Sequence, residues 1–305
     1  MPWVPRGLRD GVVTSGYPRR PDGYGAGFLG HIEVARVPGD DARALAAAAG
    51  ACPTGAIQLA RLGEADGTGG DGFHGSAPLG VRLDRGRCIL CGRCVRLAPG
   101  TFRADPGFET AGIGRRALVV PAGEGDDEEV AAARASLARR VRGLRRSVHV
   151  RHVDAGSDGS EEWEVSALTN PVYDIQRLGV FFTASPKHAD LLLVTGAGSA
   201  GMEGPLRQTY ELMPEPKVVV AVGTDAASGG MVGEGYAARA GAARVVPVDV
   251  FVPGSPPSPF GVLHGILAAV GILGSRRAAG AEDPAARTPA VRGPVAESPA
   301  VRSRP

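Results

Sequence analysis

The chain has 305 residues, of which 43% are hydrophobic, so it is long and apolar enough for two domains with separate cores. Its formal net charge of +2 lacks the basic excess that marks a nucleic-acid-binding protein. Residues 1–9 contain no apolar stretch, so we expect no secretory signal, and the apolar stretch at 260–273 is too short to span a bilayer. We therefore expect a cytoplasmic protein that reaches the cytoplasmic face of a membrane only through partner subunits.

The N-terminal third of the chain is expected to contain an arm followed by a small α+β unit. Residues 1–28 are rich in Gly, Pro and Arg without periodicity, and we expect this arm to pack along a partner or along the unit that follows it. That unit covers residues 29–118. Its patterns predict a strand at 30–37, a helix at 41–49 and a glycine-dense loop at 63–75.

All four cysteines of the chain lie in this unit, namely Cys52, Cys88, Cys91 and Cys94. Three of them form the run C-I-L-C-G-R-C, and Cys52 begins the separate run C-P-T-G. Bacterial ferredoxins carry the run C-x2-C-x2-C-x3-C-P, and in two-cluster ferredoxins the last cysteine of each run binds the other cluster. The chain therefore retains one triad and the distal cysteine of the other run, which together surround a single 4Fe–4S cluster.

The ligands of a second cluster are missing from both runs. The positions where they would stand hold Ala42, Leu45, Ala48 and Ala98. Because the four retained thiols belong to one site, the pattern predicts one 4Fe–4S cluster in a reducing compartment, with the amides of Gly92, Thr54 and Gly55 as hydrogen-bond donors to sulfur. A structural zinc site and a pair of disulfides stay open as alternatives, although two successive x2 gaps fit zinc poorly.

Residues 119–150 are predicted to connect this unit to a second one. The helix expected at 126–147 begins with D-D-E-E and ends with R-G-L-R-R, which complements the helix dipole. Apolar side chains recur at helical spacing, at Val130, Leu137, Val141 and Leu144. This pattern is typical of an amphipathic helix.

From residue 151 to 274 the pattern changes to short apolar strands separated by glycine loops and helices. Strands are predicted at 180–183, 191–195, 218–222 and 245–252, with a helix at 205–213. Runs of Val and Leu without alternation indicate a parallel sheet that is covered on both faces, as in a doubly wound α/β layer. Residues 275–305 are rich in Ala, Pro and Arg, and we expect a disordered tail there.

Four segments of this second unit resemble one protein family. They are N-P-V-Y-D-I-Q-R-L-G-V at 170–180, A-S-P-K-H-A-D-L-L-L-V-T-G at 184–196, M-P-E-P-K at 213–217 and V-P-V-D-V-F-V-P-G-S-P-P at 246–257. In this order they resemble the B subunit of bacterial NADH–quinone oxidoreductase and the small subunit of membrane-bound nickel–iron hydrogenases, including formate hydrogenlyase, across about residues 148–273. The N-terminal part is similar to the two-cluster ferredoxin subunit of the same complexes. The implied fold is an α+β ferredoxin-like domain followed by a flavodoxin-like α/β domain with a small parallel sheet.

The resemblance also implies a cluster site that this chain has lost. In the family the B subunit binds a terminal 4Fe–4S cluster through four cysteines, and the matching positions here hold Asp158, Glu161, Asp225 and Ser255. Hard oxygen donors suit an iron–sulfur cluster poorly, so we expect the fold to persist without the terminal cluster. A hard-cation site made by these residues is an alternative, and the interpretation we favour is that they solvate the opened pocket.

The run G-A-G-S-A-G at 196–201 matches the dinucleotide-binding pattern G-x-G-x-x-G. In that pattern an acidic residue lies about 20 positions further on, at the end of the next strand. Here the acidic residue near that distance is Glu215, which lies before the next strand instead of at its end. In the resembling family this loop is a plain turn. We therefore favour a turn over a nucleotide site.

The sequence together with the resemblance predicts a non-catalytic electron-transfer subunit that carries one 4Fe–4S cluster. Its partners would be a hydrogenase-like or quinone-reductase-like large subunit and other subunits of a membrane-associated oxidoreductase complex. The alternative is a structural or assembly subunit in which the cluster only stabilises the fold. The pattern offers no catalytic residue.

Overall fold

The computed structural model describes residues 3–20, 23–35, 39–61, 79–123, 125–144 and 147–273. The loop predicted at 63–75 and the tail predicted at 275–305 lie outside these ranges. Within the described part, every helix is too short or too polar to cross a membrane.

The described elements alternate between strands and short helices. The strands are β1 (His31–Val34), β2 (Ile57–Arg61), β3 (Leu79–Asp84), β4 (Phe102–Asp105), β5 (Gly112–Ile113), β6 (Val119–Val120), β7 (Val148–Asp154), β8 (Val180–Phe182), β9 (Leu191–Thr195), β10 (Val218–Val222) and β11 (Val250–Val252). The helices are α1 (Trp3–Asp10), α2 (Ala42–Gly50), α3 (Arg93–Leu97), α4 (Asp126–Arg140), α5 (Ser160–Ala167), α6 (Glu203–Leu212), α7 (Gly223–Ser228) and α8 (Pro259–Ala269).

The first unit contains two small antiparallel sheets with helices α2 and α3. Strand β1 pairs with β4, and β3 lies between β2 and β6. Helix α2 begins after Asp41, whose Oδ1 accepts the Ala44 N–H at 2.8 Å and so caps the helix. The core of the unit is formed by buried side chains from all of these elements, including Ile32, Leu83 and Phe102.

The second unit is built on a six-stranded sheet in the order β5-β11-β10-β9-β7-β8. Strands β7 to β11 are mutually parallel, and in chain order they lie 2-1-3-4-5, which is the flavodoxin-like arrangement. Every side chain of β9, β10 and β11 is buried, because helices cover both faces. The sheet is nevertheless mixed, since β5 joins its edge antiparallel to β11.

Several predicted bounds are corrected by the structure. The strand predicted at 245–252 is limited to β11, because a 3₁₀ turn occupies Ala242–Arg244 and the chain is irregular until residue 250. The helix predicted at 126–147 ends at Arg140 and is followed by a 3₁₀ turn at Val141–Gly143. The strands predicted at 191–195 and 218–222 match β9 and β10.

The two sheets exchange chain segments near the predicted domain boundary at residue 118. Strand β5 extends the large sheet by pairing with β11, and six residues later β6 returns to pair with β3. The chain therefore passes from the first unit to the second and back before α4 begins. The domain boundaries remain a prediction.

The N-terminal arm packs on the α/β unit. Tyr17 is 7% exposed, and its ring contacts Phe260 of α8 at a centroid distance of 6.1 Å. Phe28 contacts the same ring at 5.8 Å, and the Ser15 N–H donates to the Val172 carbonyl at 2.8 Å. The arm also contacts the predicted ferredoxin-like unit, since the rings of Tyr17 and Phe28 lie 5.0 and 5.9 Å from that of Phe108. The expected packing on that unit is therefore found, and the packing on the α/β unit around α8 is an addition that the sequence did not predict.

Candidate iron–sulfur centre

The structure brings all four cysteines to one cavity of the first unit. Cys52 follows α2, Cys88 follows the 3₁₀ turn at Arg85–Arg87, Cys91 lies in the loop before α3, and Cys94 lies within α3. Together with apolar side chains such as Ile32 and Leu83 they line this cavity. Cys52, the predicted fourth ligand, precedes Cys88 by 36 positions. It nevertheless lies beside the other three cysteines, as the ferredoxin pattern predicts.

The spacing of the sulfur atoms separates the alternatives that the sequence left open. The four cysteines are free thiols. Tetrahedral zinc holds sulfur at about 2.3 Å, which brings neighbouring sulfur atoms to about 3.8 Å from one another. Among the described residues, no three of these sulfur atoms lie within 4.8 Å of one another. The wider arrangement fits a polynuclear cluster better than a single ion.

The electrostatics of the cavity favour a bound cation. Burial, with a smaller contribution from the charges of the neighbouring cysteines, raises the pKa of Cys88 to about 11. Burial also raises the pKa of Cys94, to which Cys91 and Cys52 contribute in the same direction. The Cys88 and Cys94 thiols therefore resist ionisation in this place unless positive iron compensates their charge. The residues present therefore fit an iron–sulfur cluster.

Two backbone amides donate hydrogen bonds to the sulfur atoms. The Ala56 N–H donates to Cys52 Sγ at 3.3 Å, and the Leu90 N–H donates to Cys88 Sγ at 3.4 Å. These donors differ from the ones expected from the sequence. Gly55 and Gly92 instead take positive φ angles of 60° and 70°, which turn the two cysteine loops around the cavity.

The place of the second ferredoxin cluster is filled by apolar core. Leu45, Ala48 and Ala98, which occupy three of its four ligand positions, are 2%, 1% and 0% exposed. The fourth position, Ala42, is exposed at the start of α2. The loss of these thiols is therefore accompanied by hydrophobic packing rather than by a vacant cavity.

The three carboxylates at the lost terminal-cluster positions lie close together in the second unit. Glu161 is 1% exposed, and burial raises its pKa to about 7, with the charges of Asp225 and Asp158 adding to this shift. Burial and then Asp158 raise the pKa of Asp225. Hydrogen bonds from Ser160 lower the pKa of Asp158. Ser255 is exposed in the turn after Gly254.

The carboxylates do not form a cation cage in the described part of the chain. Their oxygen atoms are not among the triplets that lie within 4.8 Å of one another. The Glu161 side chain lies instead against Gly223, where an added Cβ would be 2.4 Å from Oε1, and the Asp225 side chain lies against Gly230 in the same way. The geometry favours polar side chains packed against the neighbouring backbone over a hard-cation site.

Thr224, next to Asp225 in the chain, links this cluster of carboxylates to the cysteine cavity. The fully buried Thr224 hydroxyl donates to the Cys88 carbonyl at 3.2 Å and accepts the Gly254 N–H at 3.3 Å. The Thr224 N–H donates to the Gly254 carbonyl at 2.7 Å. No local pattern predicts this contact, because the two residues are 136 positions apart in the chain.

Three amides of the glycine loop at 196–201 already donate hydrogen bonds within the chain. The N–H groups of Ala197, Ser199 and Ala200 donate to the carbonyls of Gly156, Ala155 and Ala237. A Cβ at Gly196 would lie 2.5 Å from the neighbouring backbone, which explains the glycine without a ligand. The structure therefore supports a turn rather than a dinucleotide site.

Two protein families match the chain. The family described as NADH ubiquinone oxidoreductase, 20 Kd subunit, matches residues 159–269, and the family described as 4Fe-4S single cluster domain matches residues 81–139. The second match includes the triad of cysteines, whereas Cys52 precedes it.

Several known proteins are similar to part of the chain. Formate hydrogenlyase subunit 7 of Escherichia coli is 37% identical over 147 residues, which are 48% of this chain and 56% of that protein. The probable membrane-bound hydrogenase subunit mbhJ of Pyrococcus furiosus is 40% identical over 134 residues, which are 44% of this chain and 80% of that protein. A chain in the structure of the membrane-bound sulfane sulfur reductase, an archaeal respiratory membrane complex, is 29% identical, with a TM-score of 0.39 and coverage of 45% of this chain and 76% of that one.

The match to the Pyrococcus subunit extends over most of that protein's length, and the family match covers the same α/β unit. The chain spans only 56% of the length of the Escherichia coli relative. The chain belongs to the family of the NADH ubiquinone oxidoreductase 20 Kd subunit, with a 4Fe-4S domain on its N-terminal side.

Proposed function

We propose that this chain is an iron–sulfur electron-transfer subunit of a membrane-associated oxidoreductase complex related to membrane-bound hydrogenases and NADH–quinone oxidoreductase. One 4Fe–4S cluster, bound by Cys52, Cys88, Cys91 and Cys94, accepts and releases one electron at a time. The observation that carries the proposal is the convergence of four free thiols, at the spacing of the ferredoxin pattern, on one apolar cavity. The relatives named as hydrogenase and formate hydrogenlyase subunits support the assignment to such a complex.

The electron path ends in the ferredoxin-like unit. All four ligand positions of the terminal cluster hold oxygen-bearing side chains, which do not suit an iron–sulfur cluster. The α/β unit therefore acts as a docking platform and as a support for the retained cluster through Thr224. The complex is assigned to the cytoplasmic face of the membrane, where partner subunits hold the chain.

Three exposed side chains on or beside the helices that carry Glu161 and Asp225 are assigned to the contact with the large subunit. Trp163 on α5 is 79% exposed, and Met231 and Tyr236 in the loop after α7 are 68% and 98% exposed. These elements also carry Glu161 and Asp225. Exposed aromatic and Met side chains of this kind are enriched in protein–protein interfaces.

We propose the following domain organisation for this function. The arm covers residues 1–28, the ferredoxin-like domain 29–118, the connection 119–150, the α/β domain 151–274 and the tail 275–305. The exchange of β5 and β6 between the sheets supports two domains that function as one body.

Anaerobic purification followed by iron and acid-labile sulfide analysis tests the cofactor. We expect about four iron atoms and about four sulfides per chain. Reduction should then produce an electron paramagnetic resonance signal that titrates as a single one-electron centre. A protein with no iron, or with eight iron atoms per chain, contradicts the proposal.

The same redox titration separates electron transfer from an assembly role. An electron carrier must cycle between its oxidised and reduced states without loss of iron. A cluster that is destroyed on reduction, or that cannot be reduced at accessible potentials, supports an assembly subunit in which the cluster only stabilises the fold.

A further inference from the structure

Three side chains with metal-binding atoms converge on one face of the β1–β4 ribbon. The antiparallel register places His31 directly opposite Asp105, and Glu33 lies two residues along β1 on the same face. His31 Nε2 is 3.6 Å from Asp105 Oδ2 and 3.9 Å from Glu33 Oε1. One atom from each residue lies within 4.8 Å of the other two. All three side chains are partly buried.

An ordinary ion pair does not explain this arrangement. Burial and the charge of Arg85 lower the pKa of His31, and these effects outweigh the opposite effects of Asp105 and Glu33. The imidazole is therefore neutral at pH 7 and carries no charge to attract the carboxylates. The distances from Nε2 to the two oxygens also exceed the hydrogen-bond range.

We propose that His31, Glu33 and Asp105 form a binding site for a divalent transition-metal ion of the zinc class. One imidazole nitrogen and two carboxylate oxygens are a ligand set that zinc accepts, with bonds of about 2.0–2.2 Å. Such bonds bring ligand atoms to about 3.4 Å from one another, so the three atoms need to move little. The exposed side of the ribbon leaves a fourth position for water.

Neighbouring arginines hold the site in shape and oppose its charge. Arg103 pairs with Oε2 of Glu33, which leaves Oε1 directed at His31. A ligating carboxylate held through its other oxygen is typical of metal sites. Arg85, which donates through Nε to the Ile32 carbonyl, lies close to the two carboxylates as well. The positive charges of Arg103 and Arg85 offset the negative charges of Glu33 and Asp105. Binding of the metal ion therefore depends on the His31 imidazole as well as on the carboxylate charges.

The site lies across β1 from the cysteine cavity. Ile32, between His31 and Glu33, is 1% exposed and lines that cavity, so its neighbours point to the other side of the strand. His31 borders a second, small cavity, which Arg85 and Cys88 also line. The ion would therefore be distinct from the cluster and would share none of its ligands. Its binding does not rest on the proposed electron transfer.

Equilibrium dialysis of the anaerobically purified full chain against zinc tests the site. Zinc and iron are measured on the same sample, so zinc that has replaced cluster iron is recognised by the loss of iron. We expect one zinc per chain in addition to the iron. His31→Ala and Glu33→Gln should each weaken zinc binding by at least about tenfold.

The matched control is His188→Ala, because His188 is exposed and stands in a 3₁₀ turn away from this ribbon. This variant should bind zinc as the parent does. The proposal is overturned if the parent binds no zinc beyond its iron, or if His31→Ala binds zinc as tightly as the parent. If His31→Ala loses its fold or its iron, the zinc affinity of Asp105→Asn is compared with that of the parent instead, and an unchanged affinity overturns the proposal. A redox-inactive cluster would contradict the proposed function and leave the zinc result unchanged.

Discussion

Glu161 lies almost fully buried beside two other carboxylates, those of Asp225 and Asp158. Its pKa is raised from 4.5 to about 7, so the folded protein binds a proton that the unfolded chain releases between these values. The stability that this proton provides is complete below pH 4.5 and is lost as the pH rises through 7. Above pH 7 the folded state must bury the charge.

Replacing Glu161 by Gln should therefore stabilise the protein at alkaline pH. We expect the free energy of unfolding of Glu161→Gln at pH 8 to exceed that of the parent by up to about 3 kcal/mol. This gain should shrink towards zero at pH 5. Anaerobic urea titrations at the two pH values measure it. The control is Glu211→Gln at an exposed position, which should change nothing, and an equal effect of Glu161→Gln at both pH values would contradict the argument.

The Thr224 hydroxyl bridges two buried backbone groups, one of which belongs to a cluster ligand. Thr224→Val keeps the shape but leaves the Cys88 carbonyl and the Gly254 N–H without this partner. We expect a loss of about 1–3 kcal/mol of stability and a lower reduction potential, because a donor near the negatively charged cluster is removed. Thr224→Ser, which keeps the hydroxyl, should retain the potential of the parent. Redox titration of the three proteins makes the comparison, and an unchanged potential in Thr224→Val would rule out a positioning role for this residue.

At this scale the sequence predicts residue types better than contacts. The four cysteines are recognisable as cluster ligands because three of them lie close together in the sequence, and only Cys52 lies in a separate run. The amides of Ala56 and Leu90 are not recognisable, since their direction depends on how each loop turns around the cavity. The link from Thr224 to Cys88 depends on the packing of two domains.

At the scale of elements, helix α2 places two of the predicted ligand positions of a second cluster, Leu45 and Ala48, in a packed core. Leu45 points into the packed interior and is 2% exposed. Leu45→Ala should therefore cost about 2–5 kcal/mol of stability, as truncation in a close-packed core does. The iron content of the folded protein should stay at the parent value, because Leu45 is not among the residues that line the cysteine cavity.

Leu212→Ala is the control for this variant, since Leu212 on α6 is 53% exposed and its truncation should alter stability by less than about 0.5 kcal/mol. Thermal unfolding and iron analysis of both variants provide the measurement. A Leu45→Ala protein as stable as the Leu212→Ala protein would show that α2 does not contribute a packed core.

Elements with continuous apolar runs are predicted well, and very short ones are not. The runs at β9 and β10 are five residues long and fully buried, so their sequence carries the signal. Strands β5 and β6 have two residues each and no periodic pattern. The antiparallel edge of the large sheet is therefore visible only in the folded chain, where β5 meets a strand more than 130 residues away.

At the scale of the whole molecule, the N-terminal arm and the α/β unit share one aromatic cluster. Tyr17 packs edge-on against Phe108 and Phe260, and its hydroxyl donates to Glu109 at 3.0 Å. Tyr17→Ala should destabilise the protein by about 3–5 kcal/mol, since it empties this part of the core. Denaturant unfolding measures the loss.

Tyr236→Ala provides the contrast, because Tyr236 is 98% exposed. We expect its stability to equal that of the parent, whereas its recovery with a co-expressed large subunit should decrease. Co-purification of the tagged chain tests this. Undiminished recovery of the complex would contradict the docking surface around Trp163, Met231 and Tyr236.

The exchange of β5 and β6 between the sheets has a consequence for how such a protein could be divided. A backbone cut between residues 113 and 119 leaves β6 on the piece that lacks its partner β3, and it leaves β5 on the piece that lacks β11. A cut before β5 still detaches β6, and a cut after β6 still detaches β5. A cut anywhere in this stretch therefore leaves at least one half with a sheet that only the other half can complete, so strand pairing as well as the peptide bond holds the two units together.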